Sequence, residues 1–409
     1  MEGKPKKYEP IHTLEELQVH LQWALSLELS TIPPYLCALY SISDNTSMGY
    51  SLIRSVVIEE MLHMMQVANL MNATGAPISL GPDNVAQYPG FMKHHAAGGP
   101  FIQLQAFSPQ LAQDVFMAIE QPEASPRAPA EGDNFRTIGQ FYKAVELGFE
   151  YLVDKFGEHA VFDHPSSRLQ RSDTYFGSGG GRLVVAKDLA SAKLAIREIV
   201  QQGEGAEPPR PPAPGEDPFE GKDHYGMRLD GTYGPILGTP WGLSHYRKFQ
   251  QLATGAVAAP PVYPMLPNPE ASKFSGQTRR LAELFDNCFT LALEALEGAF
   301  TQPTPVDFFG IAFPVMRFVL PQIATLLMQT PVELNADPAL GPTAGPAFAY
   351  RVKALKDIVT EADELLANPI ASLGPAYVLT WRQNLGLATH VLREALPLFE
   401  QTQQRATAV

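Results

Sequence analysis

Apolar residues recur along this chain mostly at helical spacing, with few runs of alternating character. Thr13-Leu-Glu-Glu16 reads as a capping box and opens a helical pattern that runs to about Ile32. Pro33-Pro34 is expected to kink or restart it, because proline interrupts the backbone ladder. A second pattern spans about Tyr50 to Asn72 and stops at Gly75, a natural C-cap. Residues 76–109 read as loop with short extended pieces, Ser108-Pro109 opens a short helical stretch, and 122–134 is a polar, proline-containing link. Further helices are expected over about Thr137 to Phe156, Asp188 to Gln202 and Leu243 to Leu252. A C-terminal helical region follows, roughly 274–300, 306–329 and 346–401. The sum is a mainly α protein: a four-helix bundle with long loops over 10–255, and an added helical region over 270–402 packed on it.

Composition narrows the functions this fold can serve. With 45% apolar residues, the 409-residue chain can build a large core. A formal charge of −13 argues against nucleic acid as partner, since phosphate backbones need clustered Lys and Arg. The two cysteines, Cys37 and Cys288, lie in apolar helical patterns, so no disulfide framework is expected. Met1 to Lys7 has no apolar stretch behind it and does not read as a signal peptide. The apolar run from Ile311 to Met328 is broken by Pro314, Arg317 and Pro321, and reads as a buried helix, not a membrane span. A cytoplasmic location without membrane attachment is the default expectation. Ser178-Gly-Gly-Gly-Arg182 lacks the Gly-Lys-Ser/Thr ending of a phosphate loop, and Glu207 to Pro218 carries six prolines. Both are expected to be loops.

The informative anomaly is polar chemistry on apolar stripes. In the first helix the stripe reads Leu21, Leu25, Glu28, Ile32, Tyr35; in the second, Ile53, Val56, Glu60, His63, Val67, Leu70. An unpaired buried carboxylate is costly, and a cation removes that cost. Glu60 and His63, one turn apart, set an oxygen and a nitrogen ligand side by side. Glu59 lies about 100° around the helix and is expected to face outward or to support the ligands. On the third helix Glu146 borders the stripe, with Tyr142 one turn before it. Di-metal carboxylate bundles take one Glu from each of two helices and Glu-x-x-His from each of the other two. Here the last Glu-x-x-His is missing. Glu198 has Gln201 where His would fall, and Glu204 in Gln202-Gly-Glu-Gly205 together with His245 is the reading adopted, with the proline-rich excursion looped out between them. A metal-free Glu–His pair in an ordinary helical core is the competing reading of Glu60 and His63.

Several runs then resemble a known family. Leu27-Glu-Leu-Ser-Thr-Ile-Pro-Pro-Tyr35, Val57-Ile-Glu-Glu-Met-Leu-His-Met64, Thr137-Ile-Gly-Gln-Phe-Tyr142, Ile199-Val-Gln-Gln-Gly-Glu-Gly205 and Ser244-His-Tyr-Arg-Lys-Phe249 look like the ferritin-like domain of the iminophenyl-pyruvate dimer synthase group of bisindole pigment biosynthesis. Ala312 to Met316 and Thr343 to Phe348 fit as well. The resemblance covers most of the chain and implies a ferritin-like four-helix bundle with Glu28, Glu60, His63, Glu146, Glu204 and His245 as metal ligands. Gln140 stands where an acidic residue is expected, and the chain corresponds to the ferritin-like module without the pigment enzymes' large additional region.

Carboxylate and imidazole ligands suit iron, with manganese as the alternative. The expected function is a non-heme di-iron oxidase or oxygenase that uses dioxygen on a small organic, amino-acid-derived molecule in a biosynthetic pathway. Glu60 and one partner carboxylate would bridge the two metals, His63 and His245 would be terminal, one per metal, and Tyr142 and Tyr246, with Tyr35, would line the site. A homo-oligomer is compatible with this reading. The competing classes are a ferritin-like iron-storage protein and a metal-free helical scaffold. His94-His95, in a Gly-rich loop, is expected to be surface.

Overall fold

The structure is a computed structural model that describes residues 10–123, 128–172, 181–205, 243–302, 307–334, 336–337 and 341–406. Residues 1–9, Ser178 to Gly180, the proline-rich stretch 207–218 and His224 lie outside the described residues. Four helices close a ring: α1 (Leu14–Ser41), α2 (Met48–Ala73), α4 (Ile138–Phe156) and α5 (Leu189–Gly203), in which α1 packs on α2, α2 on α5, α5 on α4 and α4 on α1. Between α2 and α4 the chain forms a two-residue antiparallel ribbon, β1 (Gly90–Phe91) with β2 (Phe101–Ile102), and then the short helical run α3 from Pro109 to Ile119, which widens to π geometry over Ala112–Phe116. Helix α6 (His245–Thr254) returns to pack on α2 and α3.

The C-terminal part contributes α7 (Gly276–Thr301), α8 (Leu320–Met328), α9 (Leu355–Ala367) and α10 (Pro375–Ala406). Residues 346–354 are not helical, and the chain breaks again between α9 and α10, so the single helical stretch expected over 346–401 is two helices. Helices α7 and α8 cover the side of α1 and α2 that faces away from α4 and α5, and one apolar core runs through both halves. The halves are also pinned by polar groups. Arg171 donates to the Ala299 and Gln302 carbonyls at the end of α7, where a cation complements the helix dipole. Asn72 Nδ2 donates to the Phe300 carbonyl over 2.9 Å.

Most termini follow their local chemistry. Thr13 and Glu16 form the reciprocal capping box at α1. At the other end of α2, Thr74 closes the helix, Gly75 takes the left-handed conformation at φ 70°, and the Ala76 amide reaches back to the Met71 carbonyl at 2.9 Å, a Schellman turn. The segment Asp307–Met328 is long and apolar enough to cross a membrane by length and composition alone. In the structure it packs on α7 and α10, is wound in π turns over Asp307–Ala312 and Val315–Val319, and has 56% of its most apolar window buried within the protein.

Helix α1 departs from expectation at Pro33-Pro34, which sit inside it without ending it. A proline at 34 leaves the Ser30 carbonyl without its helical donor. The Tyr88 hydroxyl supplies a replacement, donating to that carbonyl at 2.6 Å. The helix therefore continues to Ser41 and carries Tyr35 in register with Glu28. Tyr88→Phe should leave a buried carbonyl unsatisfied and destabilise the protein by about 1–2 kcal/mol. Urea unfolding would read this as a lower midpoint at unchanged slope, and an unaltered midpoint would refute the compensation.

Candidate metal centre

Five buried side chains meet where α1, α2, α3 and α6 converge: Glu28 from α1, Glu60 and His63 from α2, Glu120 at the end of α3, and His245 as the first residue of α6. They fall into two overlapping triads, Glu28–Glu60–His63 and Glu60–Glu120–His245, whose potential ligand atoms lie within 4.8 Å of one another in each. Glu60 belongs to both. Its Oε1 stands 2.9 Å from His245 Nδ1, and its Oε2 lies 3.8 Å from His63 Nδ1. Glu28 Oε2 is 3.4 Å from His63 Nδ1, and Glu120 Oε1 is 3.6 Å from His245 Nδ1. The two imidazole rings stack with centroids 5.4 Å apart.

Each of these side chains is held from behind. His63 Nε2 meets Gln202 Oε1 at 2.9 Å, and His245 Nε2 meets Glu59 Oε2 at 3.1 Å. With both Nε2 atoms donating outward, both Nδ1 atoms face the carboxylates, the orientation that a metal-ligating histidine needs. Glu59, fully buried, is itself paired with the fully buried Lys248. Tyr142 donates to Glu28, Tyr35 donates to Glu120 Oε1 at 2.6 Å, and Thr31 donates to Glu60 Oε2 at 2.8 Å. Tyr35 is fixed between Phe116 and Phe249, whose ring centroids lie 4.8 and 5.0 Å from its own.

Burial dominates the electrostatics. It raises the Glu28 carboxyl to about 7 against the pull of His63, and raises Glu120 as well. For Glu60 the bonds from His245 and His63 outweigh burial and hold the carboxylate ionised. The imidazoles move the other way. Burial disfavours their charge, but Glu28 and Glu60 raise His63 to about 10, and Glu120, Glu59 and Glu60 raise His245 well above the usual range. Protons are thus drawn into the group to offset three carboxylates, the task a cation performs at such a site. The His245 Nδ1 atom is buried between two carboxylates, 2.9 Å from Glu60 Oε1 and 3.6 Å from Glu120 Oε1. A donor set of carboxylate oxygens and inward Nδ1 atoms fits iron or manganese.

Two sequence-predicted ligands stand elsewhere. Glu146 lies on the rim of α4, where its Oε1 pairs with Lys193 of α5 at 2.8 Å and about a third of its side chain is exposed. Its turn of α4 points Val145 and Phe149 inward, and Tyr142 is the α4 side chain that reaches the acidic group. Glu204 closes α5 and caps the start of α4: its Oε1 accepts from the Gly139 amide at 2.6 Å, a favourable place for an anion. A side chain at 139 would collide with that carboxylate. Glu198 is buried and accepts from Gln202, so it supports the residue that holds His63. Gln140, which replaces an expected acid, ties its amide to the Pro129 carbonyl. Tyr246 is buried on α6 beside His245. His94 pairs with Asp133 and stacks on Trp23, away from the centre.

Glu120 escapes a reading by motif because it belongs to no Glu-x-x-His pattern. One signal does mark it. An acidic residue at the end of the apolar run Val115 to Ile119 sits at a helix C-terminus, where the dipole opposes negative charge. Glu59, expected to face outward or to support the ligands, supports His245.

A family model described as ferritin-like matches residues 21–254 of the chain. Among solved structures, a ferritin-like protein from Caulobacter vibrioides is similar in fold, with a TM-score of 0.54 and 22% sequence identity over 83% of this chain and 100% of that one. No curated protein sequence matches.

The buried Lys248–Glu59 pair yields a stability test that can be read on the metal-free protein. Lys248→Met takes the lysine cation from Glu59 in a dry site, where His245 Nε2 still faces the carboxylate, and should lower stability by about 3–5 kcal/mol. Adding Glu59→Gln removes the stranded charge and should restore at least half of that loss. Equal instability of the single and double variants in urea unfolding would contradict the pairing.

Proposed function

Because the chain belongs to the ferritin-like family, we propose that it is a non-heme di-iron oxidoreductase acting with dioxygen on a small organic substrate. The observation that carries this reading is the pair of triads hinged on Glu60, each with a buried Nδ1 turned inward and an Nε2 anchored outward. In this reading Glu28 and His63 would hold one metal ion, Glu120 and His245 would hold the other, and Glu60, common to both triads, would serve each. Bound iron would supply the electrons that reduce dioxygen and the oxidising power applied to the substrate.

The chain's own residues then do three things. Gln202 and Glu59 fix the ring orientation of the two histidines, which keeps both Nδ1 atoms available. Tyr142 and Tyr35 hold Glu28 and Glu120 by hydrogen bonds and keep a proton beside each carboxylate. Phe116 and Phe249, both fully buried, keep water from the Glu120 side. The motif likeness to the iminophenyl-pyruvate dimer synthase group supports an amino-acid-derived substrate. An enzyme is favoured over a storage protein because α7 to α10 and the long connections enlarge the bundle, whereas a storage shell is built from compact bundles.

Anaerobic ferrous loading followed by metal analysis should give about two irons per chain. Glu60→Ala should fall below one, and Glu120→Ala or His245→Ala should each retain about one. Glu146→Ala and Glu204→Ala should keep the full complement. Retention of metal by Glu60→Ala, or its loss from Glu146→Ala, would overturn the assignment. Oxidation of many irons per chain into a mineral, in a large assembly, would replace the enzyme by a storage protein.

A further inference from the structure

Helices α1 and α2 present a second, differently built face about a quarter-turn around from the acidic group. There, two cavities of about 220 and 70 Å³ lie against the segment Asp307–Met328 and share Leu36, Tyr40, Met61 and Met316 as walls. None of the five metal-centre residues lines either one. We propose that this space binds an amphipathic carboxylate of medium chain length, with its head at the outer cavity and its tail in the inner one.

The two chambers differ in chemistry along one direction. The inner chamber is apolar apart from Tyr40, and Met64 and Met65 line it together with Phe289 and Leu293 of α7. Unbranched thioethers adapt to tails of varied shape. The outer chamber carries Arg54 and Arg317, with the phenols of Tyr40, Tyr50 and Tyr263. Among the described residues, neither guanidinium has a carboxylate partner, and none of the three phenols makes a hydrogen bond. Two forked cations with phenol donors beside them match a carboxylate head, which guanidinium groups bind in two-pronged fashion. The combined volume suits a tail of medium length. The π turns at Asp307–Ala312 and Val315–Val319, which widen the helix where it walls the space, are a geometry often found at functional sites.

Isothermal titration of the full chain with decanoate, decanol and decylamine tests this. Decanoate should bind at one site per chain, at least tenfold tighter than decanol, with decylamine weakest. The double variant Arg54→Ala, Arg317→Ala should lose that tenfold preference. Ala292→Leu, which shortens the inner chamber, should weaken decanoate and spare hexanoate. Both arginines reach the surface, so the double variant should keep its melting temperature and its iron content, which separates this result from any failure of the metal-centre reading. Decanol binding as tightly as decanoate, no binding of any of the three, or an unchanged preference in the arginine variant would each overturn the proposal.

Discussion

Three carboxylates and two imidazoles occupy a dry interior, and each is tolerated only because another group opposes or holds it. That constraint organises the surrounding structure. It requires α1 to stay helical through Pro33-Pro34, because Glu28 and Tyr35 must stand on one face, and a tyrosine from the following loop replaces the missing donor. It requires α3 to end where Glu120 meets Tyr35, and α6 to begin with His245 directly on its capping serine. The Lys248–Glu59 pair is the outermost layer of the same arrangement, a buried charge balanced one shell away from the centre.

Much of this is legible in the amino-acid sequence. Glu28, Glu60 and His63 break apolar stripes whose period is fixed by helix geometry, so their inward direction can be read from spacing. The limits of α2, α4 and α5 follow from caps that are local in sequence. The failures are equally physical. Glu146 borders a stripe, and about forty degrees of helix rotation separate a ligand from a rim residue paired with Lys193. Glu204 sits at a helix end, where its role as a cap for α4 depends on a neighbour 65 residues away. Glu120 requires knowing that α3 folds back against α6, which no local pattern encodes. Pro33-Pro34 misleads because the compensating hydroxyl belongs to a residue 58 positions beyond the carbonyl it serves.

The C-terminal helices change what α1 and α2 can be. In a free-standing bundle their outer faces would meet water and show a polar stripe. Here α7 and α8 cover those faces, and both helices are buried nearly all round in their central turns. One helix pair therefore separates two interiors of opposite character, one acidic and crowded with hydrogen bonds, the other lined by methionine and leucine.

Tyr142 occupies the position on α4 from which a fourth carboxylate could have reached the group, and it brings a neutral phenol instead. The sum of fixed charge follows directly. Glu28, Glu60 and Glu120 contribute three negative charges, the Glu59 charge is cancelled by Lys248, and histidines ligating through Nδ1 are neutral. Were two divalent cations held there, as proposed, a single positive surplus would remain in a medium that screens poorly. An interior so constituted would attract one further anion, so electroneutrality itself would select for a co-ligand or substrate that arrives already negatively charged.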